Sequence, residues 1–225
     1  NEAWVVNHLS DSVSILALDE RPRVRQTLLV GDEPRDIVFA GADRSRAFIT
    51  AAYRGQNHPQ FQTGDLLRAG IGRADVWVFE AAVPGAGLGG DPVAIIRLFA
   101  DSPRALAVTP DGSTVYAAAF MSGNRTTTLS AEVVESAKPA PNENHAGIPA
   151  PATGLIVREN DGMWRDEDGT DWSASVPFDL PDLDVFEIDA RADTPELRQR
   201  YSAVGTTLFD MAVNPSNGSL YVSNL

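Results

Sequence analysis

At 225 residues, 43% hydrophobic and 22% charged, the chain has the composition of a globular protein with one sizeable core, and no run approaches the roughly 18 apolar residues that cross a membrane as a helix. A formal net charge of −13, from 31 acidic and 18 basic residues, sets the surface against nucleic acid and anionic lipid. Cysteine is absent, which excludes disulfides, thiolate nucleophiles and Cys-containing metal sites, while 18 glycines and 15 prolines suit many short strands better than long helices.

The chain opens on Glu2 to Asn7 (EAWVVN), with further strand patterns over Ser12 to Leu18 and Arg25 to Val30. A hairpin is predicted from Pro34 to Tyr53 with its turn at Gly41-Ala42-Asp43, followed by strands at Asp75 to Glu80 (DVWVFE) and Ala94 to Phe99. The same order restarts at Pro103. In PRALAVTPDGSTVYAAAF, Pro110 fixes φ for the turn and Gly112 can take positive φ. Alternation then puts Val115, Ala117 and Ala119 on one face, with Tyr116, Ala118 and Phe120 on the other. Strands at Leu183 to Asp189 and Arg200 to Val204 complete this cycle, and Leu208 to Asn224 opens another, with Pro215-Ser216-Asn217-Gly218 at its turn.

Each full cycle therefore holds four strands, a to d, the signature of a β-propeller blade. The expected fold is all-β, with a partial blade over 1–33, blades over 34–102 and 103–207, and a partial blade over 208–225. A sheet apolar on both faces, as Val76-Trp77-Val78-Phe79 demands, must be packed between two like sheets. About three and a half blades fall short of the roughly four to eight of a closed ring. The expectation is thus one part of a larger propeller, either a fragment or one polypeptide of a cleaved protein, completed by a second polypeptide or a missing segment.

Trp4-Val5-Val6-Asn7 and Tyr221-Val222-Ser223-Asn224, with the PxxxAVxPDGSxVYxA hairpin and the VxVFE-type strand, resemble the YVTN-type seven-bladed β-propeller repeat. The resemblance covers the strands, about half of the residues, and leaves out the long insertions. It implies an exported bacterial protein, periplasmic or extracellular, and relatives of this kind are sometimes linked to cytochrome-like domains. It does not assign an activity, since propellers host enzymes, lectins and scaffolds alike.

Individuality lies in the b-to-c connections, which run from Arg54 to Ala74 and from Met121 to Asp182 and share one rim. All three histidines, His8, His58 and His145, fall in such connections and would hold a transition metal or haem iron if they converged. The plainer reading is three separate turn histidines. Ala137 to Gly154 is too rich in Pro and Ala for regular structure, and Ile156 to Arg165 reads as a hairpin. In Asp166-Glu167-Asp168-Gly169-Thr170-Asp171, the carboxylates of Asp166, Asp168 and Asp171 are candidate Ca2+ ligands, against a solvated acidic turn. Trp164, Trp172 and Phe178 interleave with these acids, either as a carbohydrate platform or as the insertion's own core.

Arg35 and Arg104 each follow a proline at the start of strand a, where a pair can grip a carboxylate or phosphate or else bridge blades. Counting along the last copy puts Thr207 or Leu208 at the equivalent place. Gly85 to Gly90 lacks a phosphate-loop context and reads as a flexible c-to-d turn, and no nucleophile-base arrangement is placed. The leading functional reading is a non-catalytic propeller module presenting an acidic, insertion-bearing face to a protein partner or to the rest of a larger protein. A metal- or haem-dependent redox component and a carbohydrate-binding propeller are the alternatives.

Overall fold

The computed structural model describes residues 1–60, 62, 64, 68, 71–136, 142–176 and 181–225. Its architecture is all-β with several antiparallel sheets, and the chain divides into two compact units, Asn1–Ser122 with Asp182–Leu225, and Gly123–Pro181. No helix among the described residues is long and apolar enough to cross a membrane.

In the first unit, β1 (Glu2–Asn7), β2 (Ser12–Ala17) and β3 (Arg23–Leu29) form a three-stranded sheet. The second sheet is a meander of β4 (Asp32–Ala40), β5 (Arg46–Tyr53), β6 (Ala74–Glu80) and β7 (Ala94–Leu98). The third begins with β8 (Asp101–Val108) and β9 (Thr114–Met121), after which the chain runs through the second unit's β10 (Thr126–Leu129), α1 (Ala131–Glu135), β11 (Leu155–Asn160) and β12 (Met163–Arg165). It returns to complete the third sheet with β13 (Val185–Asp189) and β14 (Glu196–Tyr201), and ends in the pair β15 (Leu208–Val213) and β16 (Leu220–Asn224).

Strict alternation makes the middle sheets two-faced. From β6, Trp77 and Phe79 pack with Val13, Ile15 and Leu28 of the first sheet, while Val76 and Val78 turn the other way onto Leu106, Val115, Ala117 and Phe186 of the third. The third sheet repeats the arrangement, with Ala118 and Val185 on its far face against Leu208, Met211 and Val222. Sheets therefore stack face on face, each fully buried Phe or Ile contributing about 2 kcal/mol. Phe48, Phe79 and Phe186 are wholly buried in this way.

The hairpin turns lock neighbouring sheets together. Gly112 takes φ +72°, and its carbonyl accepts the Gly41 amide at 2.8 Å; a Cβ on Gly112 would meet the Gly41 oxygen at 2.9 Å. Arg46 bonds Glu80 within its own sheet and the carbonyls of Ala190, Ala192 and Asp193 in the next. The glycine-rich turn expected to be flexible is docked instead, since Gly89 accepts the Leu29 amide at 2.9 Å and Gly85 accepts Gln26 Nε2 at 2.7 Å.

One strand lies elsewhere than expected. The last strand of the third sheet is Glu196–Tyr201, not Arg200 to Val204. Asp182 and Asp184 take the amides of Ala203, Val204 and Gly205, which ends the strand at Tyr201, and Ala203 is at φ +59°.

In the second unit, Asp161 and Gly162 both have positive φ, as a two-residue hairpin between β11 and β12 requires. Its core is Leu129, Val157, Trp164 and Trp172. Residues 137–141 of the Pro- and Ala-rich stretch, and Phe178, lie outside the described residues.

Candidate ligand cleft and buried polar corner

The same β-bulge interrupts three hairpins at the same place. Pairing jumps between Pro34 and Ile37 in β4, between Pro103 and Ala105 in β8, and between Leu208 and Asp210 in β15. Such an extra residue kinks the strand and re-aims its side chain. The register thus makes Arg35, Arg104 and Phe209 equivalent, and all three line one cleft of about 330 Å3. Phe209, rather than Thr207 or Leu208, holds the arginine position; counting by residue failed, whereas Arg35-Asp36-Ile37 against Phe209-Asp210-Met211 carries the match.

Around each bulge the backbone is satisfied by local side chains. Asp36 N donates to Thr50 Oγ1 at 3.0 Å, and Asp210 N to Ser223 Oγ at 2.9 Å. Asp36 Oδ1 accepts the Ile37 amide and Asp210 Oδ1 the Met211 amide, each at 2.8 Å. The third sheet has Ala105 in place of the aspartate, and there the Leu106 amide crosses to Asp36 Oδ2 at 2.8 Å. Burial pushes Asp36 above the usual carboxylate range, opposed by the Leu106 and Ile37 amides and helped by the charge of Asp210.

The two arginines differ in their company. Arg35 Nη2 lies 2.9 Å from Glu33 Oε2, while its buried Nε has no hydrogen-bond partner among the described residues. Arg104 stacks over Phe209, with its guanidinium carbon 4.0 Å from the ring centroid, and lies 5.2 Å from that of Phe120. His8 also lines the cleft, with Nδ1 3.3 Å from the Pro34 carbonyl and Nε2 3.9 Å from Glu33.

His58 lies apart from this cleft. It is buried beside Asp75, its Nε2 3.9 Å from Asp75 Oδ2, while its Nδ1 accepts the Gln60 amide at 3.1 Å. Arg54 Nη2 stands 3.4 Å from Asp75 Oδ1, both side chains being almost wholly buried. Among the described residues, neither Asp75 oxygen has a partner at hydrogen-bond geometry, nor has Trp77 Nε1. Burial raises Asp75 to about 6 despite Arg54 and Arg97, and burial lowers His58, with the same two arginines adding to the effect. Sequence reading did not single out Asp75 or Arg54. The signal was an Asp-Val-aromatic opening shared by Asp75-Val76-Trp77 and Asp184-Val185-Phe186.

The candidate histidine site does not form among the described residues, where no group of three His, Asp or Glu side chains could hold a metal. His8 turns to β4, His58 turns inward, and His145 is an exposed turn residue of the second unit. The acidic run is a set of turns. Asp166 Oδ1 accepts the Thr170 amide at 2.9 Å and Oδ2 accepts Trp172 Nε1 at 3.0 Å, and Asp171 Oδ1 caps Ser173 through its amide and hydroxyl. Asp168 lies in the loop between them. Trp164 and Trp172 are buried in the unit's core, so they form no exposed sugar platform. A 59-residue excursion, Gly123–Pro181, needs these rings for its own packing.

No protein-family model and no curated protein matches the chain. Among solved structures it is similar to hydrazine synthase from Kuenenia stuttgartiensis, at 13% identity and a TM-score of 0.40, over 99% of this chain and 77% of that one. It is also similar to a functionally unknown protein from Desulfotomaculum acetoxidans, at 12% identity and a TM-score of 0.38, over 100% of this chain and 73% of that one. At these scores neither likeness carries an argument about function.

Proposed function

We propose that this chain is part of an antiparallel β-propeller of four-stranded blades that serves as a non-catalytic scaffold and binding module. Its acidic insertion supplies a surface for a protein partner. The YVTN-type resemblance of its strands supports this reading and, with it, a periplasmic or extracellular setting. The observation that carries the proposal is the contrast between inner and outer sheets. The second and third sheets bury both faces, whereas the first sheet leaves Val5 and Val24, and the last pair leaves Tyr221, exposed on the outer side.

Edges tell the same story as faces. Among the described residues β5 and β9 pair on both sides, but β1 pairs only with β2 and β16 only with β15. In the blade reading β1 and β16 both take the place of second strands, the place that β5 and β9 hold in the two middle sheets. Further sheets of the same kind cover these faces and edges in the complete ring.

Hydrogen exchange on the purified native particle, with the mass and chain composition measured on the same sample, tests this. Slow exchange along both edges of β1, together with additional polypeptide in the particle, is the expected result. A lone 225-residue monomer whose outward β1 amides exchange freely would refute it.

A further inference from the structure

We propose that the cleft at the three bulges binds a small organic acid. Arg104 grips its carboxylate, and Asp210 accepts a hydrogen bond from a neighbouring hydroxyl or ammonium group. The inference rests on the cleft and not on completion of a ring.

Four observations lead to it. Arg104 makes no hydrogen bond or ion pair with any described residue, although Asp36 and Asp210 line the same cleft. Its stacking on Phe209 fixes the guanidinium plane while leaving its N–H edge unused, which is the arrangement that receives a carboxylate in two parallel bonds. Arg35 Nε adds a second buried donor with no partner. Among the described residues the Asp210 carboxylate is bonded through Oδ1 alone, so Oδ2 remains an acceptor.

Charge selects the ligand. Arg35 is already neutralised by Glu33 and keeps only its Nε as a spare donor, and both oxygens of Asp36 are held by backbone amides, so the charges left without a partner among the described residues are the pair of Arg104 and Asp210. A single negative charge with an adjacent donor matches that pair. A phosphate dianion would place its second charge near Asp36, Asp210 and Glu33. The volume, about 330 Å3, lies at the small end of ligand sites.

The test uses the full chain and a panel of glycine, glycolate, acetate and inorganic phosphate, with binding read by calorimetry and by NMR shifts of the Arg104 side chain. Either glycine or glycolate is expected to bind at least fivefold more tightly than acetate, and phosphate more weakly than both; whichever leads identifies the donor as ammonium or hydroxyl. Arg104→Gln should weaken that ligand at least tenfold. Asp210→Asn should erase its advantage over acetate, with thermal melts establishing that each variant is folded. Absence of saturable binding by the panel, tighter binding of phosphate than of any carboxylate, or unchanged binding in folded Arg104→Gln would each overturn the proposal.

Discussion

Asp75 and Asp184 occupy the same place in successive sheets, and their surroundings are opposite. Asp75 stands across from Ala51, and Asp184 across from the equivalent Ala119. Three residues beyond each alanine comes the residue that meets the aspartate, Arg54 in one sheet and Ser122 in the other. Asp184 accepts the Ser122 hydroxyl and, through Oδ2, the Val204 amide at 2.6 Å and the Gly205 amide at 3.2 Å. Asp75 is equally buried and, among the described residues, is met by a long contact to Arg54 and a longer one to His58. The first sheet has the mildest version, with Ser10 Oγ 3.3 Å from Ser12 Oγ. An inherited position therefore fixes where a polar group sits. Local donors decide whether it stabilises the corner or is a strained guest there.

The largest expected effect is at Asp184. Asp184→Ala leaves a hydroxyl and two amides without their acceptor and should lower the unfolding free energy by about 3–5 kcal/mol in urea titrations. A loss below about 1 kcal/mol would mean that water substitutes freely and that burial is less complete than it looks.

Next comes the pH dependence of Asp75. Its folded value of about 6 exceeds the ordinary 3.8, so its neutral form is favoured in the fold. Its contribution to stability is full below about pH 4 and is lost as pH rises through about 6, by up to about 3 kcal/mol. Asp75→Asn should remove that loss, so the gap between variant and parent should shift in the variant's favour from pH 4 to pH 7.5. Parallel profiles would contradict it. His58 works with the opposite sign: its folded value is lowered, so its contribution is present at neutral pH and lost on acidification.

Smaller effects are expected at the bulges and the first corner. Thr50→Val removes the acceptor for the Asp36 amide and should cost about 1 kcal/mol. Ala118, the equivalent residue in the third sheet, already lacks a hydroxyl and is wholly buried, so Ala118→Gly should cost about 1 kcal/mol through lost packing and backbone freedom, with no hydrogen bond at stake. Ser10→Ala should change stability by no more than about 0.5 kcal/mol, because that contact is partly exposed.

How much of this was legible follows from the physics of each segment. Two-sided burial wrote itself into Val76-Trp77-Val78-Phe79, and turn chemistry into Asp111-Gly112 and Asp161-Gly162. β14 was misplaced because an edge strand reading Glu196 to Tyr201 carries little apolar pattern, while its end is set by carboxylates some 20 residues upstream. The cleft arginines were visible through the prolines before them. Phe209 was not, since a bulge shifts equivalence without leaving a mark in spacing. The fate of His58 or Trp172 depends on depth, and residue type alone does not encode depth.

The second unit begins and ends at a hydrogen bond, from the Gly123 amide to the Pro181 carbonyl at 3.2 Å. Its two ends thus already have the separation of a tight turn. A short Gly-containing linker could replace all of Gly123–Pro181 with little change in closure entropy, and another folded cassette with adjacent termini could be grafted there. That junction makes the sheet stack a chassis, in which protein engineers can exchange one inserted module for another without redesigning the strands.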